Sequence, residues 1–299
     1  MSEPLLPLPD YVLRGETSDI YFLRTQQVMQ REGLNPRATM EVFPSGAGIL
    51  CGIREALALL RRVLPTDAEV WALEEGEPFA AREVVLRFTA PYLSYGIYET
   101  AILGILAHES GWATKARECV EAAQGIPIVS FGARHVHPAV AAIVDYAAVV
   151  GGCTSCSTPL GAKLAGVVSA AGTMPHAMIL CFGDTVRAAV AFDRHMPPEA
   201  PRIVLVDTYR DEPEEAIRVA EALGDRLYGV RLDTPGERGG VTPDLVKETR
   251  ARLDLAGFRH VRIVVSGGVT PERIRGFREA GAAVDSFGVG SYITSAPPI

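Results

Sequence analysis

The sequence predicts an α/β fold: an incomplete (β/α) barrel of about seven parallel strands over residues 113–299, behind an N-terminal α/β domain of residues 1–112. Three observations predict it. From Ile126 onward, short apolar runs alternate with amphipathic helical runs, the pattern of a parallel sheet. The apolar runs number seven, which favours a barrel over a doubly wound sheet. Polar residues follow almost every run at its C-terminal end, where a barrel gathers its strand ends into one mouth.

The elements follow in order. Asp19 to Glu32 has helical periodicity. Glu69–Leu73 and Glu83–Phe88 read as short strands on either side of the turn-forming Glu75-Gly-Glu-Pro78. Glu99 to Ala123 is a long helical run with Ala and Leu on one face and charges on the other. The seven apolar runs are Ile126–Phe131, Ala147–Val150, Val167–Ala171, Arg202–Val206, Leu227–Leu232, Val261–Val265 and Ser286–Val289. Helices Pro213–Leu223, Pro243–Ala256 and Pro271–Ala280 separate the later runs. Thr242-Pro-Asp244 and Thr270-Pro-Glu-Arg273 each place a capping hydroxyl before a proline at the first helical position, where its missing N–H costs nothing.

Composition narrows the function. A chain of 299 residues, 48% apolar, can bury one large barrel core or two smaller ones. No charge-free apolar run reaches about 18 residues, and Met1–Asp10 lacks a basic-then-apolar leader pattern, so no membrane association and a cytoplasmic location are expected. A net charge of -7 argues against nucleic acid as a partner. An anionic ligand must therefore be held by placed arginines and backbone N–H groups. Lysine occurs only at Lys115, Lys163 and Lys247, so arginine supplies nearly all the cations. Five cysteines in a chain without a leader read as reduced thiols. Cys153-Thr-Ser-Cys156 has C-x-x-C spacing, but no second Cys/His pair completes a four-ligand zinc site.

The chemistry-bearing residues sit after the strands. Ser266-Gly267-Gly268 and Gly288-Val-Gly290-Ser291 end the last two, and glycine there lets backbone N–H groups approach a phosphate closely. The plainer reading is that these glycines only make tight turns. Asp207 and Asp233 end neighbouring strands, and Arg231, two residues before Asp233, points the same way. Two carboxylates suit a Mg²⁺ beside a pyrophosphate or the diol of a ribose, while a buried Arg–Asp structural pair is the alternative. His176, in Gly172-Thr-Met-Pro-His176, is either a hydrogen-bonded core residue or a nucleophile toward phosphorus.

In their order and spacing, nine segments resemble the nicotinate phosphoribosyltransferase family across nearly the whole chain. They are Ser18-Asp-Ile-Tyr-Phe-Leu-Arg-Thr25, Glu75-Gly-Glu-Pro78, Glu99-Thr100 with Ala113-Thr-Lys-Ala116, and Phe131-Gly-Ala-Arg134. Gly151-Gly152 with Thr154-Ser155 and Gly172-Thr-Met-Pro-His176 come next. Leu205-Val-Asp-Thr-Tyr209, Val230-Arg-Leu-Asp233 and Asp285-Ser-Phe-Gly-Val-Gly290 complete the set.

The resemblance implies a type II phosphoribosyltransferase, a glycosyltransferase of pyridine nucleotide (NAD) biosynthesis and salvage. It joins nicotinate to phosphoribosyl pyrophosphate, giving nicotinate mononucleotide and pyrophosphate, with Mg²⁺ as cofactor. ATP is implied as a co-substrate whose hydrolysis is coupled through a phosphohistidine, which makes the enzyme a ligase as well. By position, Tyr21, Thr173 and Arg231 would contact nicotinate, and Arg134 would stand at the mouth. His176 would take the phosphoryl group. Gly267, Gly268 and Ser291, with the Gly288–Gly290 loop, would hold the 5-phosphate. Asp207 and Asp233 would lie by the ribose and the metal. The tyrosine segment would reach a neighbouring subunit, implying a homo-oligomer with shared active sites.

Two positions depart from the family pattern: Ala177 stands where a serine usually follows the histidine, and His135 stands for the second arginine of the FG-x-R-R segment. The family usually continues past the Gly-Val-Gly segment, and this sequence runs to Ile299. Quinolinate phosphoribosyltransferase is the enzyme alternative. Its dicarboxylate calls for a denser basic pocket than three lysines provide. A catalytically silent, metabolite-binding paralogue is the alternative of a different class.

Overall fold

The computed structural model describes residues 8–299, so the first seven residues of the Met1–Asp10 segment lie outside them. The chain forms two compact units: residues up to Arg117 with Tyr146–Gly151 and Ser295–Ile299, and residues Glu118–Asp145 with Gly152–Thr294. Among the described residues, no helix is long and apolar enough to cross a membrane.

In the first unit the elements run α1 (Asp10–Leu13), α2 (Ile20–Arg31), β1 (Arg37–Val42), β2 (Gly48–Ile49) and α3 (Ile53–Val63). They continue with β3 (Glu69–Ala72), β4 (Pro78–Phe79), β5 (Leu86–Pro91) and the start of α4 (Glu99–Ala123). An antiparallel sheet has the order β1-β5-β3. Along β5, Leu86, Phe88 and Ala90 are buried while Arg87 is exposed, the alternation of a strand with one face on a core. The strand expected from Glu83 starts only at Leu86, where it pairs with Val42. Ile53, Ala56, Leu59 and Leu60 lie on one face of α3 and join Leu86, Phe88 and Tyr95 in the core. Phe88 and Tyr95 meet edge to face, with centroids 4.9 Å apart.

An acidic cluster is set into this unit. Glu75 accepts the N–H groups of Gly52 (2.7 Å) and Arg54 (3.0 Å) and so caps the start of α3. Glu109 is buried beside Glu55, and burial first, then the charges of Glu55 and Glu75, push its carboxyl well above the usual range. Burial raises the Glu55 carboxyl as well, and the two carboxyls share a hydrogen bond.

A carboxyl whose folded pKa lies above its unfolded one contributes fully below the unfolded value and loses that contribution as pH rises toward the folded one. This group alone is expected to cost about 1.4 kcal/mol per pH unit just above the ordinary carboxyl range. Glu109→Gln, neutral throughout, should remove that slope. Thermal melts at pH 5 and pH 8 check it: the fall in Tm between them should be smaller in the variant.

The second unit contains β6 (Ile128–Ser130), α5 (Ala141–Val150, which ends in the first unit), β7 (Ser155–Cys156), α6 (Pro159–Ala165), α7 (His176–Phe182) and α8 (Thr185–His195). Then come β8 (Ile203–Leu205), α9 (Glu212–Leu223), β9 (Gly229–Leu232), α10 (Pro243–Leu255), β10 (Arg262–Val265), α11 (Pro271–Glu279), β11 (Ser286–Val289) and α12 (Ser291–Thr294). The strands form one sheet in the order β7-β6-β11-β10-β9-β8, with every pair parallel. The first strand of the unit therefore lies beside the last. The order ends at β7 and β8, so the barrel is open between them.

The parallel strands number six where seven were expected. Two expected strands are something else, and β7 takes a place that the apolar runs did not mark. Ala147–Val150 is the last turn of α5, because a four-residue apolar run after Ala141-Ala-Ile-Val continues a helix as readily as it starts a strand. Val167–Ala171 follows the left-handed cap Gly166 as irregular chain, with Val168 wholly exposed, the Val167 N–H donating back to Ala162 O (3.0 Å) and the Ala171 N–H donating to Cys156 O (2.8 Å). The proline-led helices start where the caps placed them. Thr242 accepts the Leu245 N–H at 3.2 Å, and Thr270 accepts the Arg273 N–H at 3.3 Å.

Candidate active site

Barrel geometry turns the C-terminal ends of the strands toward a cavity of ≈ 540 Å³. Arg134, Thr173, Arg231, Asp233, Gly267, Gly268, Gly288, Gly290 and Ser291 all line it, so most of the residues nominated from sequence meet in one place. A groove of ≈ 690 Å³ in the first unit is walled largely by apolar side chains such as Leu57, Leu60, Leu64 and Val70. It also carries Arg54, Arg61, Glu74 and Glu75, but none of the residues nominated from sequence.

Arg231 is the third residue of β9, and its side chain is largely buried, 12% exposed. Its Nη1 donates to Thr173 Oγ1 at 2.6 Å, and its Nη2 lies 3.7 Å from Asp233 Oδ2. Burial lowers its pKa, Asp233 and Asp207 oppose that, and the like charge of Arg134 adds to it. An arginine keeps its charge through such a shift. The Arg231–Asp233 pair is therefore both partly buried and open to the cavity. Asp233 Oδ1 accepts from Ser266 Oγ at 2.8 Å, which aims the carboxylate across the β9–β10 boundary.

His176 and Asp207 bind each other rather than line the cavity. The distance from Nε2 to Oδ2 is 2.9 Å, and the Asp207 side chain is fully buried behind a half-exposed imidazole. A carboxylate only accepts, so Nε2 carries the proton and, in the neutral ring, Nδ1 keeps the lone pair. Asp207 Oδ1 has no hydrogen-bond partner. Tyr21 lies in the first unit, on α2, with its ring exposed.

Sequence reasoning missed several residues. The Phe131 ring, just past β6, has the Arg231 guanidinium 5.9 Å from its centroid and packs where a Cβ at Gly288 would collide with it. Its sequence signals were its place at the end of the run Ile126–Phe131 and at the head of the Phe131-Gly-Ala-Arg134 segment. Ser157 and Thr158 line the cavity, whereas Thr154 Oγ1 and Ser155 Oγ turn to the backbone carbonyls of Ile128 and Ser169. Buried Asp145 holds that wall, accepting from Ser130 Oγ (2.9 Å), Thr158 N–H (2.8 Å) and Ser157 Oγ (3.2 Å). One charge inside the apolar run Ala141–Val150 was the available signal. Cys153 and Cys156 are buried; burial raises both thiols, Cys156 to about 11, which leaves neither reactive. Among the described residues, no group of three or more His, Cys, Asp or Glu side chains could hold a metal ion.

Comparison with known proteins supplies the lineage. The family model for the quinolinate phosphoribosyl transferase N-terminal domain matches residues 19–110, and that for its C-terminal domain matches residues 112–299. A nicotinate-nucleotide pyrophosphorylase structure from Pyrococcus furiosus is 41% identical with a TM-score of 0.91, covering 100% of this chain and 76% of that one. The nicotinate phosphoribosyltransferase pncB2 of Mycobacterium tuberculosis is 36% identical over 233 residues, 76% of this chain and 48% of that protein. That of Bacillus subtilis is 26% identical over 318 residues, 93% of this chain and 63% of that protein. The chain thus spans about half the length of the mycobacterial relative. Matched in order by both family models and along its whole length by the archaeal structure, this chain belongs to the type II phosphoribosyltransferase family.

Proposed function

We propose that the chain catalyses transfer of a phosphoribosyl group from phosphoribosyl pyrophosphate to nicotinate, giving nicotinate mononucleotide and pyrophosphate, with coupling to ATP hydrolysis. The observation that carries the acceptor is the Phe131 ring beside one largely buried guanidinium, Arg231, tied to Thr173 on the cavity wall. An aromatic face with one cation suits a planar ring bearing a single carboxylate. The curated relatives from Mycobacterium and Bacillus carry the same name.

The pyridine nitrogen is already nucleophilic. It attacks C1 of the ribose as the C1–O bond breaks, and the electron pair leaves with pyrophosphate. No strong general base is needed. The diglycine turn after β10 and the Gly288–Ser291 loop would hold the 5-phosphate, since their backbone can approach an anion closely. Mg²⁺ takes one or two protein carboxylates, with substrate phosphates and water completing its shell. Asp233, which lines the cavity, fits that donor set, whereas Asp207 is fully buried behind His176 and does not line it. When bound, the ion stabilises the charge gathering on the leaving pyrophosphate. Arg134 faces the same cavity and supports the same charge. The lone pair on His176 Nδ1, left free by the bond to Asp207, supports phosphoryl transfer from ATP to this residue. Helix α2 buries no residue of its own and exposes Ile20, Tyr21 and Val28, which supports a second copy covering it and sharing the site. A cytoplasmic setting suits phosphorylated substrates.

The second reading, quinolinate as acceptor, is favoured by Arg134 and His135 beside Arg231 and by the names of the matching family models. Turnover with each acceptor separates the two, and no turnover with any leaves a silent paralogue. Nicotinate should be preferred over nicotinamide by roughly 10- to 150-fold in kcat/KM, the worth of about 1.5–3 kcal/mol for one charge-assisted bond. Equal constants, or CO₂ release from quinolinate at a comparable rate, would sink the nicotinate reading.

Asp233→Asn should keep the melting temperature within a few degrees while lowering turnover by about tenfold or more, because an amide serves Mg²⁺ and a ribose diol poorly. A loss of stability without a matching loss of rate would mark a structural ion pair instead. With labelled ATP, the protein should acquire an acid-labile, base-stable phosphate that His176→Ala lacks, and ATP should no longer stimulate the variant's residual transfer. An unlabelled wild type whose rate ignores ATP would mean an uncoupled transferase.

A further inference from the structure

Behind the diglycine turn stands an arginine that does not line the barrel cavity. Arg273 is the third residue of α11, fixed there by the Thr270 cap that opens the helix. Its guanidinium is spent on backbone carbonyls: Nη1 donates to Gly267 O at 2.6 Å and to Gly268 O at 2.9 Å, and Nη2 donates to Val241 O at 2.7 Å. Burial shifts its pKa downward and no carboxylate contributes. In an acidic chain rich in Arg–carboxylate pairs, this cation is matched among the described residues by carbonyl dipoles and by the Phe277 ring, 6.0 Å away.

Peptide planarity gives the arrangement a consequence. In a trans peptide the N–H points opposite to the carbonyl of the preceding residue. Turning Gly267 O and Gly268 O onto Arg273 therefore turns the N–H groups of Gly268 and Val269 the other way, to the side on which Gly267 and Gly268 line the cavity. Among the described residues, neither N–H has an acceptor. Both glycines sit at positive φ, +84° and +60°, which lets two successive N–H groups converge as an anion-binding nest.

We propose that Arg273 is a positioning residue for the 5-phosphate site: it clamps the carbonyls of the diglycine turn so that the Gly268 and Val269 N–H groups face the phosphate, and its uncompensated charge reinforces that face. The proposal rests on the reading that this turn takes the 5-phosphate.

The test uses ribose 5-phosphate and pyrophosphate as separate calorimetric probes. Arg273→Met should weaken ribose 5-phosphate by about tenfold or more and leave pyrophosphate within about twofold. Arg273→Lys should melt like the wild type yet lose most of the same affinity, because one ammonium on a flexible stem cannot hold three carbonyls. In turnover, KM for phosphoribosyl pyrophosphate should rise in both variants while kcat holds. Gly268→Ala, strained at that φ, tests the turn itself. Loss in Gly268→Ala without loss in the Arg273 variants overturns the role of Arg273 alone. Unchanged ribose 5-phosphate binding in Gly268→Ala overturns the phosphate reading and the proposal with it. Equal loss of both probes in folded Arg273→Lys also overturns the proposal.

Discussion

The pairing of β6 with β11 is the constraint on which the cavity depends. Ile128, Val129 and Ser130 lie opposite Phe287, Gly288 and Val289, so the first and last strands of the unit share a ladder. That register places Phe131 against Gly288, where any side chain would collide with the ring. The ring then lies under the guanidinium of Arg231, three strands along the sheet from β6. Moving the register by one residue would reverse every side chain of β11 and put Phe287 where Gly288 must be. A residue about 160 positions from Phe131 thus decides whether an aromatic slot exists.

Polar groups are treated unevenly across the second unit. Away from the cavity, buried charge is fully engaged: Arg202 donates to Asp193 and to a ring of backbone carbonyls, and Asp145 accepts three hydrogen bonds. At the strand ends, Asp207 Oδ1 and Arg231 Nε are buried without partners. Leaving such a group unsatisfied costs roughly 1–3 kcal/mol, and Arg231, unlike Asp207, lines the cavity, where a ligand would complete the bonding. The same logic reaches the backbone, since the N–H groups of Gly268 and Val269 are held open by a cation set behind them.

Much of the fold was legible because its signals are local. Thr242-Pro and Thr270-Pro announced α10 and α11, and the Val- and Ile-rich run Val261–Val265 and the short apolar run Ser286–Val289 announced strands, since capping and apolar periodicity act over a few residues. The residue types at the strand ends, and the order of their motifs, were enough to nominate Arg231, Asp233 and the paired glycines as one site. Ala147–Val150 and Val167–Ala171 could not be read this way. A short apolar run becomes a strand only if another strand is there to bond it, and that neighbour is chosen by the whole sheet. The partnerships of Arg273 with Gly267, of Phe131 with Gly288 and of His176 with Asp207 likewise had no sequence signature. Sequence determined which groups could do chemistry; long-range pairing alone decided which of them meet, because a hydrogen bond or a van der Waals contact depends on distance in space and not on separation along the chain.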